Sequence, residues 1–262
     1  MTVSTGGTDR ESAGGIVVCP VRFTDDLAAM RDFLVLLGLA PRVESEVGGW
    51  VDLVAGGGMV ALHDAASSDV GAPAGMSILS FQVDDADFLA RSLRSTGFDD
   101  AAVYDENYGR VLTVADPLGE QVLLNERSGD LYGYRVHDPD LCNPGTRVVP
   151  VRFTDQTTAY ARFLNRLGLA GDPDPAYAVF TARGGDHGSV GIRRVHRDDL
   201  PVVAGPGPSV QLTVTSTEPL DDVAARLIAA GHEDAEIVNE AFGDVLSVTD
   251  PDGQPVQVHQ SG

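Results

Sequence analysis

The chain has 262 residues, 43% of them hydrophobic, and a formal net charge of −21. That apolar content supports real cores, and the negative charge argues against nucleic acid and anionic membrane surfaces as partners. Two cysteines, Cys19 and Cys142, without Cys-x-x-Cys spacing give no disulfide framework or zinc cluster, and no apolar run is long enough to cross a membrane.

Residues 1–14 are polar and Gly-rich, show no signal-peptide pattern and read as a disordered start, so a cytoplasmic protein is expected. Residues 16–23 predict a strand with Val17, Cys19, Val21 and Phe23 on one face and Val18, Pro20 and Arg22 on the other. Cys19 is expected on the core side, as a small hydrophobe. Pro20 inside the strand suggests an edge or a bulge. Thr24 or Asp25 then caps a helix with Leu27, Met30, Leu34 and Leu37 at helical spacing, ended by Gly38. Strands at 50–54 and 59–63 are joined by a Gly56-Gly57-Gly58 turn.

The unit then returns in weaker form. A strand at 77–83 turns Leu79, Phe81 and Val83 to the core. Asp84 or Asp85 caps a helix through Phe88, Leu89 and Leu93, stopped by Gly97. Strands near 102–104, 111–114 and 121–125 follow, the last two joined by the turn Asp116-Pro117-Leu118-Gly119. Beyond residue 145 the order repeats: strand 147–153, helix 156–167, strands 176–182, 188–194 and 209–215, helix 219–230, then strands 235–238, 244–249 and 254–259.

The two halves agree in sequence as well. Pro20-Val-Arg-Phe-Thr-Asp25 recurs as Pro150-Val-Arg-Phe-Thr-Asp155, and Leu37-Gly-Leu-Ala40 as Leu167-Gly-Leu-Ala170. Tyr108-Gly109 with the later Asp116-Pro-x-Gly119 recurs as Phe242-Gly243 with Asp250-Pro-x-Gly253. A repeat of this period sets the architecture: an α+β protein of two tandem domains at 15–127 and 145–262, joined by an aperiodic linker at 128–144. The Pro/Gly-rich stretch 201–208 joins the two modules of the second domain.

These features resemble the vicinal oxygen chelate superfamily, which includes glyoxalase I, extradiol dioxygenases and bleomycin-resistance proteins. They are the strand ending in Arg-Phe-Thr-Asp, the helix closing on Phe-Leu-x-x-Leu-Gly-Leu and the Asp-Pro-x-Gly turn before the last strand, all duplicated. The resemblance implies paired β-α-β-β-β modules that form a cup-shaped, partly closed mixed sheet, with helices outside and a ligand or metal in the concavity. In the family's enzymes a divalent metal is held by His on the first strand, His or Glu in the second module and Glu on the last strand. Counting from the strand-end and turn aspartates puts those places at Val18, Ile78 and Leu123 in the first half and at Val148, Ser209 and Gln257 in the second. Val, Ile and Leu cannot coordinate a metal, so the expectation is a cup without metal or other cofactor.

Strand parity then assigns the cup contents. The first cup should present Val18, Pro20, Arg22, Trp50, Asp52, Ile78, Ser80, Gln82, Gln121, Leu123 and Asn125. The second should present Val148, Pro150, Arg152, Tyr177, Val179, Ser209, Gln211, Thr213, Gln257 and His259. Trp50 and the matching Tyr177 offer either a stacking platform for a planar group or a plug. Tyr108, Phe242 and Tyr104 are expected on the rim, with Glu106 and Glu240 as groups that attract a cation. Arg22 and Arg152 each need a partner if buried: Asp52 for Arg22, and an anionic ligand group or an inter-domain carboxylate for Arg152. His63 reads as a strand-end surface or rim residue.

The ligand-binding candidates are therefore Arg22, Trp50, Asp52, Gln82, Tyr104, Tyr108, Arg152, Tyr177, Gln211, Phe242, Gln257 and His259, with His259, Tyr108 and Glu240 as catalytic candidates. The leading expectation is a metal-free protein that sequesters a small organic ligand, cationic or planar aromatic, in the manner of bleomycin-type resistance proteins. Its halves would pair as an intramolecular pseudo-dimer, open to further oligomerisation. The alternatives are a metal-independent lyase, isomerase or cyclase, and a glyoxalase- or dioxygenase-like enzyme with a metal site of different make-up.

Overall fold

A computed structural model describes residues 15–69, 71–106, 109–184, 186–196, 210–240 and 243–261. The start at 1–14, the joint at 201–208, Tyr108, Ser209 and Phe242 lie outside the described residues. The first half runs β1 (Val17–Val18), β2 (Val21–Thr24), α1 (Leu27–Leu36), β3 (Ala40–Ser45), β4 (Trp50–Val54), β5 (Met59–Asp64), β6 (Ser77–Ile78), β7 (Ser80–Val83), α2 (Ala86–Ser95), β8 (Ala102–Glu106), β9 (Gly109–Ala115) and β10 (Gln121–Glu126). Next come β11 (Tyr134–Val136), β12 (Thr146–Val148), β13 (Val151–Thr154), α3 (Thr157–Leu167), β14 (Tyr177–Thr181) and β15 (Ser189–Arg194). The chain ends with β16 (Val210–Gln211), β17 (Thr213–Ser216), α4 (Leu220–Ala229), β18 (Glu236–Glu240), β19 (Gly243–Thr249) and β20 (Pro255–Gln260).

The single strand expected at 16–23 is two strands in two sheets. β1 pairs with β7, in the order β1-β7-β10-β9-β8, whereas β2 pairs with β5 and β6, in the order β11-β3-β4-β5-β2-β6. The switch falls at Cys19-Pro20, where proline has no N–H to give to either ladder. The second half switches the same way between β12 and β13, with orders β12-β17-β20-β19-β18 and β14-β15-β13-β16. Each half thus exchanges short strands between two sheets, and the space between those sheets is the cup.

This crossing inverts the expected parity of the first strand. Val17, Cys19, Val21 and Phe23 pack with Met59, Ala61 and Ala72 on the cup side, whereas Val18 is buried in the helix-side core with Leu79 and Phe81. Helix α1 is capped by Asp26, which accepts from the Ala28 and Ala29 amides at 3.1 and 2.9 Å, and not by Thr24 or Asp25. Asp85 caps α2. Two strands were illegible in the sequence: β3, which contains Pro41, and β11, inside the stretch read as linker, which pairs with β3.

Neither helix-side core belongs to one half. One joins Leu79, Phe81, Leu112 and Leu124 to Tyr160, Phe163, Phe180 and Ile192; the other joins Phe33, Leu34, Leu53 and Leu62 to Leu212, Leu227, Leu246 and Val258. Backbone bonds cross between halves as well: the Val18 amide donates to the His187 carbonyl at 2.8 Å, and the Val148 amide to the Gly57 carbonyl at 2.8 Å. At the centre Gly58 and Gly188 meet back to back with φ of +82° and +80°. A Cβ on Gly58 would lie 3.2 Å from the Gly188 Cα, and one on Gly188 3.0 Å from the Gly58 Cα, so only glycine fits both the conformation and the space. Among the described residues no helix is long and apolar enough to cross a membrane.

Candidate ligand-binding cups

The first cup is a cavity of about 440 Å³ between its two sheets. β4 and β5 pair Trp50 with His63, and both rings line it. The His63 ring meets Trp50 edge-on at 5.7 Å and lies 5.4 Å from Phe23, so three rings form one wall. Two residues along β4, Asp52 is almost fully buried. It accepts from Trp50 Nε1 at 2.9 Å, Arg42 at 2.5 Å and Gln82 Nε2 at 3.4 Å. Burial raises the Asp52 pKa above the ordinary carboxylate value, and the Arg42 charge opposes that rise. Because Gln82 gives its N–H to Asp52, its Oε1 points elsewhere, buried and without a hydrogen-bond partner among the described residues. Leu123 and Asn125 on β10 form the facing wall, and Asp130, Leu131 and Tyr134 close one side.

The second cup is wider, about 890 Å³, because its β14 sheet has no full counterpart of β3 or β11; only one bridge, Ala170 to Thr181, stands in their place among the described residues. Val151, Phe153, Tyr177, Arg193, His196, Gln211, Gln257 and His259 line it. Tyr177 pairs with Arg193 as Trp50 pairs with His63. Burial, and then the charge of Arg193, lower the His259 pKa below its ordinary value, so the ring is neutral at pH 7.

Several sequence expectations need correction. Arg22 and Arg152 line neither cup. Arg22 is bound by the Asp250 carboxylate and the Gly75 carbonyl, not by Asp52, whose cation is Arg42. Arg152 lies 2.8 Å from Glu120 and 3.4 Å from Asp116, the inter-domain carboxylates that were one of its two expected partners. Each arginine therefore reaches the Asp-Pro-x-Gly turn of the other half. There one oxygen of Asp116 accepts from the Leu118 and Glu120 amides, and one of Asp250 from the Asp252 and Gln254 amides. The other oxygen of each faces the arginine.

Tyr104 on the edge strand β8 is exposed and lines neither cup, and Glu106 and Glu240 stand exposed on edge strands outside both linings. Val179 is exposed outside the second lining as well. His63, read as a surface or rim residue, is part of the first cup's wall. Sequence reasoning also missed Arg42, Tyr134, Arg193 and His196. Arg193 had a usable signal: in 189–193 the core residues Val190 and Ile192 alternate with Ser189, Gly191 and Arg193.

The places at which the resemblance leads one to expect metal ligands shift once the strand register is known. Seven residues before the true cap, Asp26, is Cys19, which is buried in one apolar cluster with the cup-wall residues Val21 and Phe23, as Val18 is not; its counterpart is Val149. Ile78 pairs with Val21 as Gln211 pairs with Val151, so Gln211, not Ser209, is the second-half equivalent of Ile78. The two sets are Cys19, Ile78, Leu123 and Val149, Gln211, Gln257. These do not fit a divalent metal: no carboxylate or imidazole is present, and burial, then the charge of Asp52, raise the Cys19 thiol well above its ordinary pKa. Among the described residues no group of three His, Cys, Asp or Glu is arranged to hold one.

No family model and no curated protein matches the sequence. Solved structures do match the fold. A single-site variant of homoprotocatechuate 2,3-dioxygenase from Brevibacterium fuscum superposes with a TM-score of 0.58 at 17% identity, over 94% of this chain and 70% of that one. Homoprotocatechuate 2,3-dioxygenase from Arthrobacter globiformis gives 0.58 at 16% identity, over 95% and 79%. A catechol 2,3-dioxygenase gives 0.57 at 14%, over 94% and 87%. The chain therefore shares the tandem fold of these extradiol dioxygenases.

Proposed function

We propose that this protein binds a small planar organic molecule in its first cup without a metal and without changing it, as a sequestering or resistance protein in a reducing cytoplasm. The observation that carries the reading is the exchange at the ligand positions: Cys19, Ile78 and Leu123 stand where a dioxygenase-like centre would need imidazole and carboxylate, while a cavity with Trp50 on its wall stays open. The wall of Trp50, His63 and Phe23 suits a flat apolar body. The Gln82 Oε1 favours a ligand that brings an N–H or O–H to it, because a buried acceptor without a partner is costly. Self-resistance to an antibiotic or other natural product is one use of such a cup.

A second reading is an enzyme, favoured by the neighbours' being ring-cleaving dioxygenases and by the neutral His259 ring beside Gln257, which suits a general base. The chain has one tryptophan, so Trp50 fluorescence reports the first cup directly. A panel of planar compounds is titrated, and the recovered compound is analysed by mass spectrometry. Quenching with the compound recovered intact supports sequestration. Turnover, or one tightly held metal per chain after incubation with Fe(II), Mn, Ni or Zn, overturns it.

A further inference from the structure

The second cup differs from the rest of the molecule in charge. Its described lining includes Arg193, Arg194, His196 and His259 and no aspartate or glutamate, in a chain with 39 acidic residues and a net charge of −21. The first cup's lining includes Asp52, Asp69, Glu126 and Asp130 beside its arginines. Of those arginines, Arg42 is engaged by Asp52 and Arg110 by Asp87 and Asp105. Arg193 is not: it faces the cup across from Tyr177 and makes no ion pair with a carboxylate among the described residues. It is exposed on the cup side, so its guanidinium keeps its donors for a solute.

We propose that the second cup binds an organic monoanion, an aryl carboxylate in the simplest case. Arg193 meets the carboxylate, and Phe153, Val151 and Tyr177 cover the ring. The planar guanidinium fork matches a carboxylate in geometry and charge, and Gln257 on the facing sheet supplies a further amide donor. This site is independent of the first cup and of what it holds.

The test uses the full chain and three probes of one shape: 2-naphthoate, 2-naphthamide and 2-naphthylmethylammonium. Each is titrated by calorimetry, with the His259 imidazole NMR signals marking the site. The expected result is one naphthoate per chain, bound at least tenfold more tightly than the amide, with the ammonium weakest and the His259 signals moving only with naphthoate. Arg193→Gln should remove the tenfold preference, and Arg162→Gln, which deletes an exposed arginine on α3 outside both cups, should keep it. Equal binding of acid and amide, binding of none of the three, or equal losses in the two variants overturns the proposal. Naphthoate binding that quenches Trp50 and ignores Arg193→Gln also overturns it, while leaving the first-cup reading intact.

Discussion

The two cups share one scaffold and one matched stretch of wall, Val21 and Phe23 against Val151 and Phe153, and differ in most of the other side chains that line them. In the first, a cross-strand Trp50–His63 pair, a buried Asp52 tied to three donors, and the walls supplied by β3 and β11 make a narrow, ring-lined space. In the second the same cross-strand position holds Tyr177–Arg193, the counterpart of Asp52 is Val179, and the side wall is a single bridge among the described residues. The sheet crossing and the register are common to both, so the backbone distinguishes them only at the edge where β3 and β11 have no full counterpart. Selectivity resides in a few side chains and in one missing edge, as expected where function is grafted on a fold.

The arginines that join the halves give the largest test of how far the likeness extends. Arg22→Met leaves Asp250 buried without its cation and should cost about 3–5 kcal/mol in denaturant unfolding. Arg152→Met should cost less, because Glu120 is 41% exposed and can rehydrate and Asp116 lies at 3.4 Å. An Arg152 loss as large as that of Arg22 would mean the two joints are equivalent. Next is the central glycine contact. Gly58→Ala forces a side chain into left-handed backbone, about 1–2 kcal/mol, and presses it on Gly188, so it should exceed Gly48→Ala, which has φ of +85° and open space. Equal shifts in Tm would deny that the two halves touch there.

Two smaller effects concern titration. The folded state raises the Asp52 pKa, so near and above pH 3.8 it binds more protons there than the unfolded chain does. Its contribution to stability therefore falls as pH rises through the window from 3.8 up to the folded value, opposite to an ordinary ion-paired carboxylate. Wild-type stability minus that of Asp52→Asn should slope downward across that window; an upward slope would mean that Arg42 outweighs burial. For His259 the folded pKa is depressed, so its contribution declines as pH falls below about 6.5 toward the folded value. NMR titration should give a midpoint below that of a free histidine. Arg193→Gln should recover only part of the shift, because burial is the larger cause; full recovery would reverse that order.

Much of this architecture was legible in the chain. The repeated Val-Arg-Phe-Thr-Asp and Asp-Pro-x-Gly segments, the glycine-ended helices and the alternation in 50–54 announce the strands and helices that form, whereas 77–83, read as one strand, divides between two sheets as β6 and β7. Local pattern failed where a distant element decided the outcome. Cys19 and Val18 exchanged faces because the strand changes sheets at Pro20, an event set by β7 and β5 far along the chain. The partner of Arg22 lies 228 residues away, and no local spacing points to it. β11 was missed because Tyr134-Arg135-Val136 is three residues long and becomes a strand only against β3. Tyr104 was placed on the rim by its neighbourhood with Tyr108, but an edge strand leaves its outer face to solvent.

The back-to-back meeting of Gly58 and Gly188 has an evolutionary consequence. Two identical subunits that met this way would share one gene, and any residue tuned for one pocket would be copied into the other. Joining them in one chain frees each copy to drift. Histidine on one side can become arginine on the other, and an aspartate can become a valine, without altering the partner. The paired glycines are then the place where that freedom stops, since a change in either is felt at once by both.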